Sequence, residues 1–370
     1  MTEIDDLQTL CLSDIPLIDT RSPSEFAKGS LPSATNLPLM NDEERAAVGI
    51  CYQRRGQDAA VQLGHELVTA SKKAERVALW KEFAERNPQG ALFCFRGGLR
   101  SSITQQWLSE IGIDYPRIRG GYKALRRWLI SQSDDIFESS RIILLGGRTG
   151  VAKTRALNEG RDGEAVPGSL DLEGLANHRG SAFGKRTSEQ PTQIGFELAL
   201  GIALVKHRSQ NQPHLILEDE GRLIGRCALP LSLQVARQHA DWVRLEASLD
   251  DRIQHSYENY ILSNLRELNV NDSENGFSAF SAGLLDALTR IQKRLGGQRY
   301  QALKAIMTDA IECHRQGDPE QHKHWIASLL TDYYDPMYDY QMEKRNRPPV
   351  FAGSESAVAD YLLARQQQWR

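Results

Sequence analysis

Two places in this chain leave little freedom of fold. At each, an apolar run ends in a turn built from glycines, basic residues and a hydroxyl, and helical periodicity begins directly afterwards. The first is Ala91-Leu92-Phe93 followed by Cys94-Phe95-Arg96-Gly97-Gly98-Leu99-Arg100-Ser101. The second is Arg141-Ile142-Ile143-Leu144-Leu145 followed by Gly147-Arg148-Thr149-Gly150-Val151-Ala152-Lys153-Thr154. A strand that passes through a glycine turn into a helix is the unit of a parallel sheet covered by helices. The amides of such a turn converge with the helix N-terminus on a phosphate-sized anion site. With 370 residues, 40% of them hydrophobic and 25% charged, the chain has room for two such domains, each with its own core.

The surrounding periodicity agrees with that division. Ile15 to Asp19, Ala91 to Phe93 and Tyr115 to Ile118 read as strands, and Gln57 to Asn87, Leu99 to Ile111 and Tyr122 to Ile130 as helices. The polar stretch Ser131 to Asp135, with Glu138-Ser139-Ser140, marks a boundary between a domain over 1–135 and another over 140–370. In the second domain, Ile142 to Leu145, Ser169 to Leu172, His214 to Leu217 and Trp242 to Leu245 are expected strands. From Asp250 onward the pattern is mostly helical, and Asp335-Pro336 is expected to stop a helix that begins at His324.

Backbone amides, a helix N-terminus and the charges of Arg96 and Arg100 would all favour a thiolate at Cys94. Such surroundings lower a cysteine pKa from about 8.5 to roughly 3.5–7.5. A thiolate there can attack an electrophilic chalcogen or phosphorus, and the C-x5-R spacing does not separate phosphate hydrolysis from sulfur or selenium transfer. In the second cradle, Gly147, Gly150, Lys153 and Thr154 have the residue types and spacing of a phosphate loop, with a lysine for the phosphate and a hydroxyl for Mg²⁺. Ala152 stands where glycine is expected before the lysine. Asp171, Glu173, Glu218 and Asp219 are the acids placed to meet Mg²⁺ or a leaving group, and each could equally cap a helix.

Asp19-Thr20-Arg21, Glu25-Phe26 and Gly29 to Pro38 resemble the opening signature of rhodanese domains, and Gly120-Gly121-Tyr122 with Trp128 their closing one. Further stretches extend the resemblance along the chain. They include Asn41 to Gly49, Asp171 to Gly184, Glu218 to Gly225, Arg294 to Tyr300 and Tyr333 to Tyr338. Together they resemble the bacterial tRNA 2-selenouridine synthase family, in which a rhodanese domain is fused to a P-loop domain. The fold so implied is α/β throughout, with a rhodanese-like parallel-sheet domain, a P-loop NTPase-like domain and a largely helical C-terminal part. Ala152 and Gly221 depart from the family pattern, which has glycine and serine there.

The resemblance implies a transferase that replaces the sulfur of wobble 2-thiouridine in tRNA with selenium from selenophosphate, after S-geranylation by geranyl diphosphate. Cys94 would carry the chalcogen, with Arg96, Gly97, Gly98 and Arg100 around it, and the phosphate loop would hold a diphosphate. The implied partners are thiolated tRNA and a selenophosphate synthetase supplying selenophosphate. No tightly bound cofactor is expected, with Mg²⁺ as a possible exception. The competing reading is a cysteine phosphatase of rhodanese-like fold fused to a P-loop kinase-like domain.

A net charge of −3 argues against a uniformly basic nucleic-acid sleeve but not against local patches. The candidates for tRNA phosphates are Arg119, Lys123, Arg126 and Arg127; Arg179, Lys185 and Arg186; and Lys293, Arg294 and Arg299. Five scattered cysteines without a C-x-x-C support neither a disulfide framework nor a structural metal. His322 and His324, two apart on a helix, face different directions and are not expected to share a metal. The acidic opening Met1 to Asp6 and the lack of a long apolar run lead to the expectation of a cytoplasmic protein without membrane segments.

Overall fold

The computed structural model describes residues 2–160, 163–271, 274–345 and 347–367. Met1 and 368–370, the outer limits of the two expected domains, lie outside the described residues. The chain forms two compact units, Met1–Ile136 with Pro191–Ser209, and Phe137–Gln190 with Gln210–Arg370. The stretch 191–209, assigned from sequence to the second domain, therefore lies in the first unit.

The first unit is built on a five-stranded sheet in the order Glu3–Ile4, Arg117–Ile118, Ala91–Phe93, Leu17–Asp19, Ala34–Asn36, all parallel. Ala91–Phe93 is central and fully buried, which is why it is apolar at every position. Apolar side chains of the helix Gln193–Ser209, Leu198 and Val205, pack with Leu10, Leu17, Phe93, Leu125 and Leu129 in one core.

Two expectations fail locally here. The region read as one helix from Gln57 to Asn87 is two, Gln57–Leu67 and Ala70–Arg86, because Val68 turns out of helical conformation and Thr69 becomes the next N-cap. The polar stretch read as a boundary is helical, inside Gly121–Ser139. It contains no glycine or proline, and Ser133, Ile136 and Phe137 continue the buried stripe begun by Leu125 and Leu129.

The second unit has another five-stranded parallel sheet, ordered Phe351–Gly353, Asp241–Leu245, Arg141–Gly146, His214–Glu218, Ser169–Leu170. The strand leading to the phosphate loop is again central. The edge strand Phe351–Gly353 and the helix Glu355–Gln367 were not anticipated, yet Val358 and Leu362 of that helix are fully buried against Ile143, Leu145 and Val243. A separate helical core gathers around Ile261, Met307 and Trp325, all fully buried.

Pro336 does not end its helix. Leu330–Tyr334 is a π segment, and the helix resumes as Asp335–Arg345 with Pro336 in its first turn. The widened turn removes the amide requirement that proline would violate. No helix among the described residues is long and apolar enough to cross a membrane.

Candidate active sites

Cys94 follows the central strand of the first unit and precedes the helix Leu99–Glu110. The turn between them is held by backbone contacts that exclude side chains. Tyr122 and Lys123 donate their amides to the carbonyls of Cys94 and Phe95, each at 2.9 Å. A Cβ on Gly121 would lie 2.3 Å from the Cys94 carbonyl oxygen, and one on Gly97, whose φ is +64°, would lie 2.7 Å from the Gly120 nitrogen. Gly98 faces open space and is not sterically required.

Behind the strand, Arg21 is 2% exposed, pairs with Asp19 at 2.6 Å and lies 3.8 Å over the Tyr122 ring. Thr20 donates its hydroxyl to the Phe93 carbonyl. The Asp19-Thr20-Arg21 and Gly120-Gly121-Tyr122 segments thus support the cysteine turn. Their residue pattern marks a resemblance but does not by itself reveal that role.

The Cys94 sulfur lies 3.3 Å from the Ser101 hydroxyl, and the residue borders a cavity of about 770 Å³. Arg96 is exposed at that cavity, whereas Arg100 is held by Glu25 at 2.5 Å, with Arg45 on the same carboxylate at 3.5 Å. Burial pushes the Glu25 carboxyl up, but Arg100 and Arg45 outweigh it and hold it below the usual range. The cavity lining carries three arginines against this one carboxylate.

The phosphate loop of the second unit is shaped by close approach. A Cβ on Gly147 would meet the Leu245 carbonyl oxygen at 2.7 Å, and one on Gly150, at φ +88°, the Arg252 carbonyl oxygen at 2.9 Å. Ala152 occupies the left-handed region at φ +64°, a conformation that glycine adopts without strain. Arg252, 3% exposed, donates Nε to the Thr149 carbonyl at 2.9 Å and grips Asp335 at 3.0 and 2.5 Å. These two residues fix the loop from behind. They are far from it in sequence, and no local signal marked them.

Lys153 and Thr154 open onto a polar cavity of about 550 Å³. Thr154 donates to Glu218 at 2.5 Å and lies 3.1 Å from Glu173, and Lys153 is 3.7 Å from Glu220. Burial alone would lower the Lys153 pKa, but Glu220, Glu173 and Glu218 raise it. Burial, with repulsion from Glu220 and Glu218, pushes Glu173 up to about 9, and burial with Asp171 nearby brings Glu218 to about 7. The loop's acids are thereby disposed to hold protons near neutrality.

Two expected acids are otherwise engaged. Asp171 caps the helix Leu172–Leu175 and accepts from Asn158 at 2.8 Å. Asp219 is held by Arg237 and Arg345, each at 2.7 Å, which overcome burial to lower its pKa. Glu220 takes the place beside Lys153. Among the described residues no group of three or more His, Cys, Asp or Glu is arranged to hold a metal. A Mg²⁺ at Thr154 and Glu218 would accordingly draw its remaining ligands from a diphosphate and water.

The basic candidates divide between paired and open. Arg119 pairs with Glu3 and Asp5, Arg126 with Glu197, and Arg179 with Glu267, Asn264 and Ser263. Lys123 and Arg127 are exposed one turn apart on one helix, and Lys185, Lys293, Arg294 and Arg299 are also exposed. Arg186 borders the phosphate-loop cavity.

The model of the tRNA 2-selenouridine synthase AAA domain matches residues 140–369. A tRNA 2-selenouridine synthase from Hahella chejuensis is 52% identical over 97% of this chain and 94% of its own length. Another from Marinobacter nauticus is 48% identical over 98% of both. This chain belongs to the tRNA 2-selenouridine synthase family. A solved N-terminal domain of a protein described as ATP/GTP-binding, from Clostridium difficile 630, is 29% identical over 35% of this chain and 99% of that one, with a TM-score of 0.33, and carries no argument here. Of the two departures from the family pattern expected from sequence, Ala152 bears directly on the phosphate loop. At Gly221 an added Cβ would meet nothing closer than 3.9 Å, so the space there would admit a serine.

Proposed function

We propose that this protein is a tRNA 2-selenouridine synthase that works in two steps. In the first, the sulfur of a wobble 2-thiouridine takes the geranyl group of geranyl diphosphate and releases diphosphate. In the second, water replaces selenium on phosphorus in selenophosphate, selenium bonds to C2 of the base, and geranyl thiol departs. Alkylation makes the sulfur a far better leaving group and C2 more electrophilic.

The observation that carries the reading is Cys94 at the border of a cavity with three arginines in its lining, in a chain that matches relatives of this name over nearly their whole length. Cys94 would position the released hydrogen selenide beside C2 through its thiol, without an S–Se bond, with Arg96, Arg100 and the turn amides stabilising the phosphorylated donor. Lys153, Thr154 and the loop amides would hold diphosphate, and a protonated Glu173 would donate to it rather than repel it. Lys123 and Arg127 suit tRNA phosphates.

The test is incubation of the purified chain with thiolated tRNA, geranyl diphosphate and selenophosphate, followed by nucleoside mass spectrometry. Wild type should yield selenouridine, C94S should stop at the geranylated nucleoside, and K153A should leave thiouridine. Unchanged thiouridine with wild type refutes the reading, and selenouridine from C94S removes the role given to Cys94.

A further inference from the structure

The cavity beside Cys94 is larger and more apolar than an inorganic selenium donor requires. Its walls include Met40, Val48, Val61, Val68, Ile103 and Trp107, contributed by three helices and the segments flanking them. The cleft is open to solvent, and its space of about 770 Å³ falls within the range of ligand sites. Its lining also holds Arg45 and Arg100, both paired with Glu25, and the exposed Arg96, so cations outnumber the one carboxylate there.

A largely hydrocarbon lining that also holds Cys94 and three arginines matches an occupant that is a hydrocarbon chain carried on a polyanion. We propose that this cavity receives the alkyl chain on the sulfur of an S-alkylated thiouridine in tRNA, with the RNA phosphates at the arginines and the carbon to be attacked beside Cys94. The inference rests on the two-step reading above and assigns the displacement step to the first unit. Burying the chain in the cavity would hold the leaving thiol next to the incoming selenium. It would also make the site selective for alkylated over unmodified tRNA, by roughly fourfold for each methylene buried.

The test uses the full-length protein and tRNAs whose thiouridine carries an S-methyl, S-prenyl or S-geranyl group, with selenophosphate as donor and selenouridine as readout. For wild type, kcat/KM should rise with chain length, reaching at least about tenfold for geranyl over methyl. V61W, which fills the cavity, should collapse that ratio, and V61A should keep it. A partly unfolded preparation lowers every substrate alike and leaves the ratio untouched. A wild-type ratio near one, or a ratio that V61W leaves unchanged, overturns the proposal.

A second arm does not depend on turnover. A tRNA bearing a diazirine on the S-geranyl chain is photolysed with the protein, and the labelled peptides are mapped. Label on residues 39–68 or 94–107 is expected, and label confined to other segments overturns the assignment. If wild type converts none of the S-alkyl tRNAs while the label falls on these segments, the two-step reading fails and the alkyl site stands. If turnover proceeds and the label falls elsewhere, the reverse holds.

Discussion

At the scale of single residues, backbone conformation explains more of both sites than side-chain chemistry does. Ala152 at φ +64° occupies a conformation that costs an ordinary L-residue about 1–2 kcal/mol, and glycine there would lose part of the gain through its freer unfolded chain. A152G is therefore expected to stabilise the protein by up to about 1 kcal/mol, measured by urea denaturation. Gly121 is the opposite case, since any side chain would strike the Cys94 carbonyl and the Gly97 amide, 2.3 and 2.4 Å away. G121A should displace the cysteine turn and, in the two-step reaction proposed above, abolish the selenation step while leaving the geranylation step in place, as read by nucleoside mass spectrometry.

At the scale of elements, the helix Asp335–Arg345 is tied to the phosphate loop directly, by Arg148 on Asp339 at 2.8 Å, and from behind through Arg252. Asp335, immediately after the π segment, holds Arg252, and Arg252 holds the Thr149 carbonyl. Removing one partner of a buried pair strands the other charge. D335A should cost about 3–5 kcal/mol in urea denaturation and weaken diphosphate binding by isothermal titration. A second element-scale device is internal to the helical core. Trp325 donates its Nε1 proton to His322 Nδ1 at 2.9 Å, so the Nε2 of neutral His322 carries the proton and points at His314 Nδ1, 3.1 Å away. The pair satisfies a fully buried imidazole without a metal, and His324 takes no part in it.

At the scale of the whole molecule, two groups of buried titratable residues bracket stability from opposite sides. Burial lowers the His322 pKa to about 4 from 6.5, so the unfolded chain binds that proton first and this residue's contribution to stability falls as pH drops through that window. Glu173 and Glu218 are raised from 4.5 to about 9 and about 7, so the folded state holds more protons than the unfolded one and stability falls as pH rises between those values. Thermal melts of the variants compared with wild type across pH should separate the two contributions, H322F removing the one lost towards acid and E173Q part of the one lost towards alkali. H322F should also lose about 1–3 kcal/mol at neutral pH, because the Trp325 proton has no acceptor. Chain connectivity adds one more expectation. The first unit takes its helix Gln193–Ser209 from within the second half of the sequence, so a fragment ending at Ile136 lacks Leu198 and Val205 of its core. Such a fragment should bind a hydrophobic dye and melt without cooperativity, and adding a peptide covering 191–209 should restore a transition.

Residue order alone specifies the two strand-turn-helix junctions, and with them the central parallel strands and the positions of Cys94, Lys153 and Thr154. An apolar run, a glycine turn and a helical period are local properties, written in adjacent residues. Only the tertiary structure decided which charges are free to act. Asp219 and Asp171 carry the same carboxylate as Glu218, but arginines far along the chain and a nearby helix terminus engage them, leaving Glu218, Glu173 and Glu220 at the phosphate loop. The same limit hid Arg252 and Asp335, the edge strand Phe351–Gly353 and the return of 191–209 to the first unit. Ion pairing and strand pairing between distant segments depend on where the chain comes back to itself, and a local pattern does not contain that information.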